Sequence, residues 1–225
     1  SEDGLSAFDV CSYTVDQISR VTHLAFKAAQ KRKKKVTLVD KANVLETSRL
    51  WRKTVTEIAK EYANVKLDFM FVDNAALQIV LNPKQFDVIL TENLFGDIIS
   101  DEASVISGSI GLLASSSIGE KTAMFEPIHG TYPQAKGKDI ANPLASILSA
   151  AMLLEHFGLQ EEADSIKRAL EKSLTLGITT EDIKGKNQYS ASTSKVGGFI
   201  ADYILNQEDS NMNFMNIHAG QSTII

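Results

Sequence analysis

The sequence has little of several features that would place it outside ordinary globular proteins. Its 225 residues include one cysteine, Cys11, so no intrachain disulfide can form, and a cytoplasmic, reducing compartment is favoured. No apolar run approaches the roughly 20 residues that span a bilayer, and no signal-peptide pattern opens the chain. We therefore expect no membrane partner, and an inert, buried thiol at Cys11.

The charge balance also excludes a class of partner. Lys and Arg number 23 against 28 Asp and Glu, which gives a net charge of −5, whereas general nucleic-acid binders are basic. The basic run at 31–35 has no interleaved aromatic residues and is interpreted as the solvated end of a helix, where cations complement the helix dipole. We expect no nucleic-acid partner.

Hydrophobic periodicity predicts a chain that alternates strands and helices in its first half. Thr14 and Gln17 have the spacing of a capping box before the first helix. Such alternation predicts an α/β fold with a largely parallel, helix-covered sheet. Residues 107–143 are rich in Gly, Ser and Pro, and the tail from 206 is polar. The predicted strands are 36–39, 65–72 and 86–90, and the predicted helices after the first are 51–62, 75–81, 97–106, 144–157, 163–174 and 197–205.

Reactive side chains follow the predicted strands. Lys41 comes after the first strand, Asp73 after the second, and Asp97 and Asp101 lie on the helix that follows the third. Parallel sheets bind ligands beyond the carboxyl ends of their strands. Two carboxylates four residues apart share a helix face and suit Mg²⁺ or Mn²⁺, although a solvated acidic face has the same spacing.

Two further features have alternative interpretations from the residues alone. Lys41 has the character of a general base if it lies in a dry cleft beside a cation, but it could equally be a surface lysine or an ion-pair partner of Asp40. The segment that carries His129 and Gly130 is either a binding loop or a rigid Pro-Gly turn. No G-x-G-x-x-G Rossmann fingerprint occurs in the chain.

Five segments, in this order, resemble the 3-isopropylmalate branch of the β-decarboxylating dehydrogenases. The resemblance spans residues 1 to about 205, and the residues Trp51 to Val55 favour this branch over the isocitrate branch. The segments are Val39-Asp-Lys-Ala-Asn-Val-Leu-Glu46, Phe71-Val-Asp-Asn-Ala-Ala76, Thr91-Glu-Asn-Leu-Phe-Gly-Asp-Ile-Ile-Ser-Asp-Glu-Ala103, Phe125-Glu-Pro-Ile-His-Gly130 and Ile140-Ala-Asn-Pro143.

The resemblance implies a role for each matching residue. Lys41 and Asp73 would be catalytic, with Lys41 as the base, and Asp73, Asp97 and Asp101 would surround Mg²⁺ or Mn²⁺. Asn43 would face the nicotinamide of NAD, and Asn142 would recognise its adenine. The remaining residues implied to hold the dinucleotide are Glu126, His129, Gly130, Thr131, Tyr132, Gln134 and Ile140.

The implied reaction is the oxidative decarboxylation of a 2-hydroxy acid, 3-isopropylmalate, in leucine biosynthesis. The family's homodimers share each active site, because Lys41 and Asp73 would reach into the partner's cleft. Many NAD-using members have an aspartate where this chain has Gln134. NADP-using relatives tend to have Lys followed by Tyr there, which this chain also lacks, and we favour NAD over NADP. The alternatives are a malate, tartrate or homoisocitrate dehydrogenase and a truncated, non-catalytic subunit.

The resemblance also implies a division into domains. Residues 1–107 would form the second domain, which dimerises and carries the lysine and the aspartates. Residues 108–205 would form part of the first, dinucleotide-binding domain, and 206–225 an irregular tail. The N-terminal part of the first domain, with the substrate arginines and a general-acid tyrosine, would be missing, and Tyr13 lies in a different motif. We therefore expect this chain to be inactive by itself, with its second half the less ordered.

Overall fold

A computed structural model describes residues 4–186 and 189–206 of the chain. The predicted irregular tail lies outside these residues beyond Asn206. The helices are α1 Val15–Gln30, α2 Glu46–Ala59, α3 Val72–Leu81, α4 Asn93–Ser107, α5 Leu144–His156, α6 Gln160–Thr175 and α7 Thr193–Leu205. The strands are β1 Lys35–Asp40, β2 Lys66–Phe71, β3 Val88–Thr91, β4 Ala114–Ile118 and β5 Ala123–Pro127.

The chain divides into two compact units, Ser1–Ala103 and Ser104–Ile225. The predicted domain boundary at residue 107 lies four residues beyond this division. The functions that the resemblance assigns to the two domains stay predictions. Among the described residues, none of the helices combines the length and apolarity needed to cross a bilayer.

The first unit is built on a three-stranded parallel sheet in the order β2-β1-β3. Alternate residues of β1 face opposite sides: Val36 and Leu38 pack with α1 and α2, whereas Val39 packs with α3 and α4. All three side chains are at most 1% exposed, as a strand covered on both faces requires. The predicted parallel, helix-covered sheet is confirmed.

Several helices begin earlier than predicted. The capping box at Thr14 is confirmed, with both reciprocal hydrogen bonds present. Helix α3 begins at Val72 instead of 75, so Asp73 lies in its first turn, and α4 begins at Asn93 instead of 97 because Glu92 caps it. The expectation that Cys11 is buried is wrong, since its side chain is exposed.

In the second unit, helices pack against a β-hairpin, which lies in the Gly-, Ser- and Pro-rich segment 107–143. Strands β4 and β5 pair antiparallel, and α5 covers them, with α6 against α5 and α7 against α6. Leu144, Leu170, Val196 and Phe199 form its core, each at most 6% exposed. A two-stranded sheet with one helix layer is a marginal structure by itself.

We predict that the isolated chain exchanges amide hydrogens faster in β4 and β5 than in β1. Strand β1 is bonded on both edges and buried on both faces, whereas no residue of β4 or β5 is fully buried. Hydrogen exchange of the 225-residue chain, read by mass spectrometry, compares the strands within one molecule. Equally slow exchange in all of them would contradict the expectation that the second half is the less ordered.

Candidate active site

The three parallel strands of the first unit end together. Asp40, the last residue of β1, is in register with Phe71 of β2, and Val39 is in register with Thr91 of β3. Because the strands are parallel, the residues that follow them emerge at one edge of the sheet. Lys41 and Asp73 are both at this edge, and α4 with its two aspartates begins there.

Lys41 and Asp73 form a direct ion pair. Lys41 Nζ lies 2.6 Å from Asp73 Oδ1, and the two side chains are 26% and 66% exposed. The hydrogen bond from Lys41 lowers the pKa of Asp73 below its ordinary value, so the Asp73 carboxylate stays ionised at neutral pH and is protonated only as the pH falls through that lowered pKa. Lys41 Nζ is also 5.9 Å from the centre of the Phe71 ring.

Asp40 pairs with Arg52, not with Lys41. Arg52 Nε and Nη2 donate to the two carboxylate oxygens of Asp40 at 2.9 and 2.8 Å, a bidentate arrangement. The Asp40 side chain is 2% exposed, so its charge is compensated almost entirely within the protein. The interpretation of Lys41 as the ion-pair partner of Asp40 is therefore wrong.

Arg52 also contacts the neighbouring strand. Its guanidinium carbon lies 4.9 Å from the ring centre of Phe69 and 5.5 Å from that of Phe71, both within the range of a cation–π interaction. Through Asp40 and Phe71, the last residues of β1 and β2, this one side chain joins the strand that precedes Lys41 to the strand that precedes Asp73.

The turn after β1 is fixed by three further hydrogen bonds. Ala42 N donates to Asp40 Oδ1 at 3.0 Å, and Lys41 N donates to Ser48 Oγ at 3.0 Å. Arg49 Nη1 donates to the carbonyl oxygen of Ala42 at 2.8 Å. The turn therefore has little freedom, and it presents Asn43 to solvent.

A tyrosine and a glutamate hold the start of α4. Tyr13 donates its hydroxyl to Glu92 Oε2 at 2.7 Å, and Glu92 accepts from the backbone N–H of Phe95 at 2.9 Å. Burial and then the bond to Glu92 raise the pKa of Tyr13 to about 12, so Tyr13 keeps its proton at neutral pH. It also packs edge-on against Trp51, with ring centres 5.4 Å apart.

Asp97 and Asp101 lie one turn apart on α4, and both are exposed to solvent. Carboxylate oxygens are the donors that Mg²⁺ and Mn²⁺ prefer, but two of them do not complete a site. No group of three or more His, Cys, Asp or Glu positioned to hold a metal exists within residues 4–186 and 189–206. Asp73 therefore does not join Asp97 and Asp101 in one chain, and the two fit a metal as part of a larger set.

Apart from Asn43, the residues expected to hold the dinucleotide lie on the second unit, where most of them face solvent. Glu126 is in β5, Gln134 is in a short turn of 3₁₀-helix, and Ile140 is 46% exposed. His129 is half-buried, and its Nδ1 lies 3.0 Å from the carbonyl oxygen of Gly130. The exposed members of the set are Glu126, Gly130, Thr131, Tyr132, Gln134 and Ile140.

Asn142 is held by a residue that the sequence did not single out. Its Nδ2 donates to Asp182 Oδ2 at 3.0 Å, and its Oδ1 accepts from Leu144 N at 3.0 Å, which starts α5. Burial raises the pKa of Asp182, but hydrogen bonds from Ser109, Thr180 and Asn142 outweigh it and lower the net pKa. The side-chain amide of Asn142 is thus engaged within the chain, and part of its hydrogen-bonding capacity is taken.

Comparisons with known proteins show the family to which the chain is similar. The model of the isocitrate/isopropylmalate dehydrogenase family matches residues 1–200. The chain is 55% identical over 203 residues to the 3-isopropylmalate dehydrogenase of Wolinella succinogenes and 56% identical over 199 residues to that of Clostridium pasteurianum. These matches cover 89% and 88% of this chain but 57% and 56% of the relatives.

Solved structures of two dehydrogenases are similar in fold to this chain. The crystal structure of isocitrate dehydrogenase from Methylococcus capsulatus matches with a TM-score of 0.82 at 38% identity, and covers 89% of this chain and 59% of that one. A β-decarboxylating dehydrogenase from Thermococcus kodakarensis matches with a TM-score of 0.81 at 37% identity, over 93% of this chain and 62% of that one. The chain thus spans somewhat more than half the length of the relatives it matches.

We predict that Arg52→Gln destabilises the first unit by about 3 kcal/mol, because it leaves the buried carboxylate of Asp40 without its bidentate partner. The matched control is Glu57→Gln on the same helix, whose partner Lys60 is exposed, and we expect a change below about 0.5 kcal/mol. Urea denaturation followed by Trp51 fluorescence measures both. Similar effects of the two substitutions would contradict a special role for the Asp40–Arg52 pair.

Proposed function

The chain belongs to the isocitrate/isopropylmalate dehydrogenase family, and from this premise we propose that it provides much of the active site of an enzyme that oxidises and decarboxylates 3-isopropylmalate. NAD is the proposed oxidant, a divalent cation the proposed metal, and leucine biosynthesis in the cytoplasm the proposed setting. The observation that carries the proposal is the 2.6 Å contact between Lys41 and Asp73 at the carboxyl edge of the sheet, in a chain more than half identical to such enzymes.

Lys41 is the proposed base that accepts the proton of the substrate hydroxyl. Its ammonium is partly exposed and rests against the Phe71 ring, so a substrate can approach it from one side. Asp73 keeps Lys41 oriented through their hydrogen bond. A divalent cation bound beside Asp73 would draw its carboxylate away from Lys41 and so favour the neutral amine that a general base requires.

Asp97 and Asp101 are the proposed contribution of this chain to the metal. A divalent cation, when bound, supplies positive charge for the carboxylate and hydroxyl of a 2-hydroxy acid. The two aspartates would bind it from α4, and the N-terminus of that helix is held by Glu92 and Tyr13. Asp73 of a second copy is the proposed third carboxylate, which agrees with the separation of the three aspartates in one chain.

The exposed residues of the second unit are the proposed dinucleotide site. NAD, when bound, supplies the hydride acceptor. Gln134 is exposed and can hydrogen-bond the ribose hydroxyls. It brings no positive charge for a 2′-phosphate, which supports NAD over NADP.

The proposed assembly is a homodimer in which each site takes residues from both subunits. Large apolar side chains on α3 and α4 are exposed, which is unusual for a surface without a partner. The incomplete set of carboxylates gives a second, independent reason for a partner copy. The exposed residues are Leu77 at 55%, Val80 at 60% and Leu81 at 67% on α3, with Leu94 at 61% and Ile98 at 57% on α4.

The alternatives are a related dehydrogenase with a different 2-hydroxy acid and a non-catalytic subunit. They are tested with a chimera in which this chain is joined to the N-terminal segment of the Wolinella succinogenes relative, called the completed protein below. Turnover of 3-isopropylmalate, malate, tartrate or homoisocitrate by the completed protein supports a catalytic role for this chain, whereas the preference among these acids reflects the added segment, which would supply the substrate arginines. A folded completed protein without turnover of any of them supports the non-catalytic subunit, and we expect the 225-residue chain by itself to be inactive.

In the completed protein, we predict that Lys41→Ala lowers kcat by about 10² or more, the usual contribution of a positioned acid–base group. Lys60→Ala is the matched control, because Lys60 is exposed and pairs with the exposed Glu57 one helical turn earlier, and its kcat should stay within about twofold. Steady-state rates at saturating NAD, Mg²⁺ and 3-isopropylmalate measure the effect. An unchanged kcat in Lys41→Ala would leave Lys41 with a structural role.

We predict that two inactive variants of the completed protein complement each other. If Lys41 and Asp101 of one site come from different subunits, Lys41→Ala and Asp101→Asn homodimers are inactive, whereas each mixed dimer keeps one intact site. Random pairing yields half mixed dimers with one site of two, so co-refolded variants should regain about a quarter of the original activity. A mixture as inactive as its two components would show that each site lies within one subunit.

A further inference from the structure

The segment Gly137–Asn142 is attached to the first turn of α7 through an aspartate with an unusual backbone conformation. Asp139 has a φ of +54°, in the left-handed region that few residues other than Gly, Asn and Asp adopt. Gly137, two residues earlier, has a φ of +74°. The segment therefore makes two left-handed steps before it reaches Ile140.

The carboxylate of Asp139 explains why this position is not a glycine. Its Oδ1 accepts from the backbone N–H of Ser194 at 2.9 Å and from the Ser194 hydroxyl at 2.8 Å. Hydrogen bonds from the side chain of Ser192, then from Ser194, lower the pKa of Asp139, so it is ionised at neutral pH. A negative charge at the N-terminus of a helix is also favoured by the helix dipole.

Thr193 adds two hydrogen bonds on either side of Ile140. Its backbone N–H donates to the carbonyl oxygen of Asp139 at 3.0 Å, and its hydroxyl donates to the carbonyl oxygen of Ala141. Ile140 is thus fixed at both ends while its own side chain is 46% exposed. A surface pocket beside it is lined by Lys138, Glu181 and Ser190.

We propose that Asp139 is a positioning residue, which holds the segment carrying Ile140 and Asn142 against α7 in the conformation that receives the dinucleotide. This inference rests on the dinucleotide site proposed above. Its physical basis is preorganisation: a loop that is ordered before binding loses less conformational entropy when the ligand arrives. Asp139 acts through the segment and need not touch the dinucleotide itself.

Three substitutions of Asp139 in the completed protein separate the effect of its backbone conformation on NADH binding from the effect of its carboxylate. Asp139→Gly keeps the left-handed backbone and removes the carboxylate, and we expect the Kd for NADH, from fluorescence titration, to rise about tenfold. Asp139→Asn keeps an acceptor oxygen and tolerates the conformation, so its Kd should rise less than about threefold. Asp139→Ala loses both and should bind at least as weakly as the glycine variant.

The controls distinguish positioning from loss of structure. In Asp139→Gly we expect the KM for NAD to rise with Kd, kcat at saturating NAD to stay within about twofold, and amide exchange at 139–142 to increase. Asp164→Asn, a partly exposed aspartate on α6 that accepts from Gln160 and lies near Lys167, should leave all these values unchanged. Ser194→Ala removes one donor to Asp139 and serves if the Asp139 variants do not fold, with a smaller rise in Kd expected.

Each outcome decides one of the two claims. If the Asp139→Gly variant binds NADH with the same Kd as the unsubstituted protein, the role of the carboxylate is overturned. A fall in kcat of this variant without a change in its KM for NAD also overturns that role. If the folded, unsubstituted completed protein does not bind NADH, the proposed dinucleotide site itself fails, and the positioning role fails with it.

Discussion

The arrangement at the carboxyl edge of the sheet depends on how one buried carboxylate is satisfied. Asp40 ends the central strand with 2% of its side chain exposed, and an ion in that position is tolerated only with close partners. Arg52 supplies two hydrogen bonds and Ala42 a third. These bonds fix the turn that carries Lys41, and the same guanidinium rests on Phe69 and Phe71 of β2.

A chain of local constraints extends from this pair to the proposed chemistry. The strand register places the ends of β1 and β2 side by side, so that Lys41 reaches Asp73 without a long excursion of the backbone. On the other side of β1, Glu92 fixes the start of the helix that carries the two remaining aspartates. The reactive groups are exposed or partly exposed, while most of the groups that orient them are buried or half-buried, as expected of a rigid frame that presents a site to solvent.

The sequence predicted the parts that depend on local patterns. Alternating apolar residues gave the three parallel strands, and their ends gave Lys41, Asp73, Asp97 and Asp101 as neighbours of one sheet edge. Arg52, Asp182 and Glu92 escaped notice because an arginine on a helix, or an acidic residue before one, has many possible partners. Which partner it meets depends on tertiary packing, and the spacing of residues along the chain does not encode it.

Trp51 gives this unit a built-in optical probe. It is the one tryptophan of the sequence, it is 4% exposed, and it packs against Tyr13, whose hydroxyl is bonded to the cap of α4. The emission of an indole shifts when water reaches it, and nearby tyrosine rings transfer energy to it. Intrinsic fluorescence of the unlabelled protein therefore reports on the packing around α2 and the start of α4, while the helices of the second unit contribute no indole signal.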